Sequence, residues 1–171
     1  MYGMKNKTST QNICNITFEH PLGGTGDFCI CNEKGVWHLF HILHEYGIPS
    51  SCHHPDQTRK LAHATSSDLT HWTIHESTIY ARPDKWDNNK VWAPGINKFQ
   101  NEWYMCYTGV DKDFHQRIGI VKSYNLWDWT YPVDGPIIDS EKFLWSKSGG
   151  VHEDAVFPNY FNCRDPFIIR Y

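Results

Sequence analysis

Short runs alternating apolar and polar residues, cut by turn residues, dominate the chain from about residue 23 onward. None carries a capping box leading into a sustained 3.6-residue period, so the pattern predicts strands and no helix. Asp27-Phe28-Cys29-Ile30-Cys31 reads as one strand. A polar turn follows, and Trp37-His38-Leu39-Phe40-His41-Ile42 opens a second strand. The same order returns downstream: APGINKFQNEW (residues 93–103) lies over DFCICNEKGVW (residues 27–37), and WYMCYT from Trp103 lies over WHLFHI from Trp37. Further on, residues 61–73 lie over residues 118–130, with Leu69 on Leu126, Trp72 on Trp129 and Thr73 on Thr130.

Each unit therefore reads as four short strands joined by turns, the content of one four-stranded antiparallel blade. Asp27 and Ala93 are 66 residues apart, and Ala93 and Asp165 are 72 apart, so residues 163–171 read as the inner strand of a third unit. The expected fold is all-β, a β-propeller of about two blades plus the first strand of a third. Residues 1–22 form an N-terminal arm and 23–171 a partial propeller. Blade I falls at about 26–76, blade II at about 91–132, a connecting loop at 133–162 and the third inner strand at 163–171. A ring of five such blades needs about 350 residues, so the chain reads as the front of a truncated five-bladed propeller. The alternative is a small protein that completes its ring by self-association through open blade edges.

Composition narrows the function classes. With 40% hydrophobic and 20% charged residues in 171, the chain is ordinary for a globular protein. A net charge of -3 leaves no electrostatic footprint for nucleic acid or an anionic membrane. No run is long and apolar enough to span a bilayer, and the first dozen residues lack the apolar core of a signal peptide. The compartment stays open: cytoplasmic, or secreted if the N-terminus is incomplete. Six cysteines without a CxxC pair exclude a zinc ribbon or thioredoxin-like motif. Cys29 and Cys31 share a strand face and read as small buried hydrophobes. The eleven histidines, even His53 and His54 with His41 and His44, show no ligand spacing on a defined element. They read as scattered polar surface, and no transition metal is expected.

Asp27 and Asp165 occupy equivalent positions of units one and three, and Ala93 shows that the repeat itself needs no carboxylate there. In a radial architecture the first strands line a common channel, so both carboxylates are expected to face one funnel. The competing reading is two turn-forming aspartates at strand entrances. Trp37 with Trp103, and Trp72 with Trp129, recur at matched places and read as core, whereas Trp86, Trp92, Trp127 and Trp145 have no matched Trp.

Three segments carry a family resemblance. AHATSSDLTHW (residues 62–72) looks like the blade-one signature of invertase-like enzymes. VWAPGI (91–96) is similar to the segment opening blade two of arabinanase-like enzymes, and CRDPFI (163–168) to that opening their blade three. In this order and spacing, the chain from about residue 23 onward resembles the five-bladed propeller glycoside hydrolases of families 43 and 32. The resemblance implies cleavage of a furanosidic or related glycosidic bond in an oligo- or polysaccharide. It casts Asp27 as general base or nucleophile. Asp165 would hold the sugar, tune the pKa of the acid and stabilise the transition state. Arg164 would bind substrate and help keep Asp165 ionised, with pairing to a neighbour at the surface as its other use. Trp92, beside the channel-lining start of blade two, is the candidate sugar-stacking platform, with core burial as its other use. No cofactor is implied beyond a structural calcium known in some relatives, for which no residues here can be assigned.

Departures bound the resemblance. Phe28 stands where many relatives have Pro, the invertase Asn-Asp-Pro-Asn signature is absent at residues 24–27, and Gly95 replaces a frequent acidic residue. The general-acid Glu of the family lies in a later blade, and His152-Glu153-Asp154 precedes the third strand, in the wrong place for that role. The chain alone is therefore expected to be inactive. A non-catalytic carbohydrate-binding or interaction propeller is the alternative.

Overall fold

Turn residues divide the chain into seven strands: β1 (Gly23–Glu33), β2 (Val36–Glu45), β3 (Lys60–Ser66), β4 (Thr73–Tyr80), β5 (Lys90–Phe99), β6 (Glu102–Val110) and β7 (Gln116–Ser123). The structure, a computed structural model, describes residues 18–49, 51, 54–142 and 161–169. Strands β1-β2-β3-β4 form one sheet and β5-β6-β7 a second, every neighbouring pair antiparallel. Among the described residues the one helical element is a 3₁₀ turn at Ser140–Lys142, and no helix is long and apolar enough to cross a membrane. The fold is all-β, and its stacked antiparallel sheets are consistent with part of a propeller.

The repeat seen in the sequence has a local cause. Ser66 Oγ accepts the Leu69 amide at 2.8 Å, and Ser123 Oγ accepts the Leu126 amide at 2.9 Å. Both leucines are left-handed, with φ of 64° and 68°. The two turns are the same device, a serine hydroxyl standing in for a backbone acceptor. It places the half-buried Trp72 and Trp129 at matching corners.

Strand alternation sorts β6 into two faces. Trp103, Met105 and Tyr107 point at the first sheet and join Phe40, Ile42, Leu61 and Val121 in the core. Tyr104, Cys106 and Thr108 point the other way, toward residues 163–169. The second sheet is thus sandwiched between the first sheet and the 161–169 segment.

Two expectations change. The fourth strand of the second sheet is reduced to isolated bridges at Thr130 and Ile138. Pro132, Gly135 and Pro136 fall between them, and proline cannot donate to a ladder. Residues 163–169 form no strand either. They dock through side chains: Thr108 Oγ1 accepts the Asp165 amide, and Asn97 Nδ2 donates to the Ile168 carbonyl, each at 3.1 Å. Pro166 brings no amide hydrogen to a ladder. Arg170, Tyr171, residues 143–160 of the expected connecting loop (with Trp145 and Glu153) and residues 1–17 of the expected arm lie outside the described residues.

The histidines are also not mere polar surface. His38, His41 and His63 are buried. His38 Nδ1 and His63 Nε2 are 3.0 Å apart and share one proton, while Phe40 and Trp127 pack on His63 with ring centroids at 4.3 and 4.6 Å. Burial, and then the neighbouring imidazoles of His38 and His75, push the His63 pKa from 6.5 down to about 3. Burial lowers those of His38, His41 and His75 as well. In each case the unfolded chain takes up a proton that the folded chain refuses. Stability should therefore fall as pH drops from 6.5 toward 3, with His63 among the contributors. Denaturant unfolding across that range should show the slope, and His63→Phe should flatten it; an unchanged acid limb in the variant would count against this origin.

Candidate active site

Both first strands lose register near their start. The β1–β2 pairing slips between Thr25 and Phe28, around Gly26 and Asp27, and the β5–β6 pairing slips between Trp92 and Gly95, around Ala93 and Pro94. Such a bulge bends the strand and re-aims the extra residue. The repeat-equivalent residues Asp27 and Ala93 therefore sit on equivalent irregularities. Ala93 and Asp165, each followed by proline, are left-handed with φ of 44° and 60°. Asp27, followed by Phe28, is not.

A cleft of about 350 Å³ opens where these irregularities meet, lined by Gly26, Asp27, Ile42, His44, Thr58, Trp92, Arg164 and Asp165. Asp27, Trp92, Arg164 and Asp165, all singled out from the sequence, are brought to this one cavity from β1, β5 and the third segment. Asp27 and Asp165 are both solvent-exposed. Arg164 Nε lies 3.7 Å from Asp165 Oδ2, with the two side chains 58% and 63% exposed. An ion pair this loose and wet contributes little to stability.

Trp92 was weighed as a sugar-stacking platform or a core residue. It packs against the core and lines the cleft. Its indole Nε1 donates to Thr58 Oγ1 at 2.7 Å, which fixes the ring. Thr58 is itself strained: a β-branched residue at φ 55° is a conformational outlier. What holds it is visible. Its carbonyl accepts the Val91 amide at 3.1 Å, and the fully buried Lys90 ammonium donates to the carbonyls of Gln57, at 2.8 Å, and His54. Gln57 in turn bonds the Glu45 amide and the Glu45 and Ile48 carbonyls. The β2–β3 loop is thereby fastened to the start of β5, and one cleft wall is preset.

Sequence reasoning missed His44, Thr58 and Lys90 as parts of this site or its support. His44 had a signal: it continues the inward face of Phe40 and Ile42 at a spacing of two. Thr58 and Lys90 had none, since left-handed strain and an ammonium-to-carbonyl clamp across 33 residues leave no pattern.

Gly95 controls the third segment. A side chain there would run into the Pro166 carbonyl oxygen, so only glycine lets residues 163–169 approach β5. Gly95→Ala should displace that segment and Asp165 with it, while β1–β4 stay in place. Chemical shifts of Asp165 unchanged in the variant would contradict this docking.

One further cluster has metal-ligand character. Asp111, His115 and Glu141 place ligand atoms within 4.8 Å of one another. The Arg117 guanidinium already donates to Asp111 Oδ2 at 2.7 Å, to Asp139 Oδ1 at 3.1 Å and to Glu141. The cluster is an ion-pair network tying the 3₁₀ turn to β7.

Antiparallel sheets thus present two acidic residues and an anchored tryptophan in one cleft near the starts of β1 and β5. The chain belongs to glycosyl hydrolases family 43, whose model matches residues 48–144. Solved structures share the fold. A glycosyl hydrolase from Bacteroides ovatus is 23% identical with a TM-score of 0.54, the alignment covering 64% of this chain and 31% of that one. A family 43 β-xylosidase/α-arabinofuranosidase from a compost microbial metagenome, solved with xylotriose, is 21% identical with a TM-score of 0.54, over 68% of this chain and 37% of that one. An endo-arabinase from Bacteroides thetaiotaomicron is 19% identical with a TM-score of 0.51, over 65% and 35%. The matched region spans about a third of the length of these structures. A comparison with curated proteins returned no match.

Proposed function

We propose that this chain is the substrate-holding front of a glycoside hydrolase propeller acting on a furanosidic or related glycosidic bond. The observation that carries the reading is the cleft joining Asp27 of β1, Trp92 of β5 and Asp165 of the 161–169 segment; family membership supplies the reaction class. Asp27 acts as general base or nucleophile. Asp165 steadies the sugar and the positive charge that develops on it, Arg164 binds substrate, and Trp92 supports a sugar face. Hydrolysis also needs a protonated carboxyl to release the leaving group, and the reading assigns that acid to a later repeat of the same propeller.

The second reading, a carbohydrate-binding module without turnover, draws on the cleft itself. Among the described residues its lining includes two carboxylates and no third acid. Both readings require sugar binding, so Trp92→Ala tests what they share. Affinity for xylotriose or arabinotriose should fall on the order of tenfold, with some loss of stability because Trp92 also packs against the core. Undiminished affinity in a folded variant would remove Trp92 from the site. Hydrolysis of an aryl glycoside, abolished by changing Asp27, separates enzyme from binder.

A further inference from the structure

Nine histidines fall among the described residues, and eight have a ring nitrogen engaged. His20 and His54 accept the amides of Leu22 and Asp56. His38 and His63 bond each other, and His41 bonds the Ile42 carbonyl. His71, His75 and His115 bond Asp68, Thr65 and Glu141. His44 is the exception: among the described residues neither of its ring nitrogens has a protein hydrogen-bond partner. It is nonetheless half-buried and set in the wall of the cleft.

Gly26 explains how the ring gets there. A Cβ at that position would lie 3.0 Å from His44 Nε2 and 3.3 Å from Cδ2. The imidazole edge therefore occupies the space a side chain would take, directly beside Asp27 and inside the bulge that aims it. His44 arrives from β2, at the end of the inward face of Phe40 and Ile42, so the sheet fixes its backbone. A half-buried imidazole edge in a polar cleft, without a protein partner, is a hydrogen-bonding group kept for a ligand.

We infer that His44 is a specificity-determining residue of this cleft, its Nε2 hydrogen-bonding a hydroxyl of the sugar unit that lies over Gly26 and Asp27. The inference rests on the carbohydrate reading above and adds to it the group that selects the sugar. A site built to bond a hydroxyl discriminates strongly against an analogue lacking it, because its own polar group is then left unpaired. His44 so acts on which sugar is accepted, and Asp27 on what happens to it.

The experiment is calorimetric titration of the full chain with xylotriose and with arabinotriose, for wild type, His44→Phe, His44→Gln and Trp92→Ala. Phenylalanine keeps the ring and its packing while removing both nitrogens; glutamine presents an amide near the Nε2 position. The expected result is binding of at least one trisaccharide by wild type, on the order of tenfold weaker binding by His44→Phe, and recovery to within about threefold by His44→Gln. Thermal midpoints of all the His44 variants should match wild type, which a merely structural histidine would not allow. Wild-type affinity in folded His44→Phe, with Trp92→Ala weakened, would overturn the inference and leave the carbohydrate reading standing. Wild type binding neither sugar would overturn both.

Discussion

Replacing Asp27 by Asn is expected to lower turnover by roughly three to four orders of magnitude while oligosaccharide affinity stays within a few-fold of wild type. The measurement belongs to the polypeptide that also supplies the acid. The reasoning is steric as well as chemical. Asp27 is solvent-exposed in the β1 irregularity, and among the described residues its carboxylate has no side-chain partner, so an isosteric amide disturbs no packing. What disappears is the charge that activates water or attacks the anomeric carbon. Turnover near normal would remove Asp27 as base or nucleophile. Loss of sugar binding together with turnover would assign it to substrate holding instead.

The largest expected effect on stability lies behind the cleft, in the connection from β4 to β5. Asp87 is fully buried and accepts from Arg82 Nε at 2.9 and 3.0 Å and from the Tyr107 hydroxyl at 2.8 Å. The Arg82 guanidinium also sits 3.9 Å above the Tyr131 ring. Burial first, and then the adjacent Asp87 carboxylate, push the Tyr107 pKa far up, so its hydroxyl remains a donor at any physiological pH. Arg82→Met keeps much of the aliphatic stem and strands the carboxylate, a change that costs about 3–5 kcal/mol when the pair is buried. Denaturant unfolding should show that loss, and Arg82→Lys should restore only part of it because the planar fork is gone. A loss below about 1 kcal/mol would mean that water reaches Asp87 and the pair behaves as a surface one. Since this connection leads into Lys90 and Trp92, the variant should also weaken sugar binding.

Period-two alternation and the repeated Ser-x-Asp/Asn-Leu turns made most of the strands legible. Those features act between near neighbours, and local physics is what a sequence displays. Failures occurred where a tertiary partner decides the outcome. The fourth strand of the second sheet was expected from the match at Trp129 and Thr130, but the prolines beyond it outweigh the match. The apolar look of Phe167-Ile168-Ile169 suggested a strand, whereas a ladder needs a neighbouring backbone edge, and the segment docks instead on the Thr108 and Asn97 side chains. His63 was read as surface because nothing in its vicinity in sequence announces Trp127 packing over it from the turn after β7. Asp27, Asp165, Arg164 and Trp92 meet in one cleft because the starts of β1 and β5 lie close to residues 163–169. His44 and Thr58 joined them through contacts that cross strands and loops.

Gly26-Asp27 and Ala93-Pro94 stand at the same kind of interruption, one holding a carboxyl group and the other a bare methyl. The shared slip does not fix what the extra residue faces: Asp27 is exposed and lines the cleft, whereas Ala93 is left-handed and buried. One and the same slip thus serves two ends, offering a reactive group to solvent in the first sheet and filling the interior in the second.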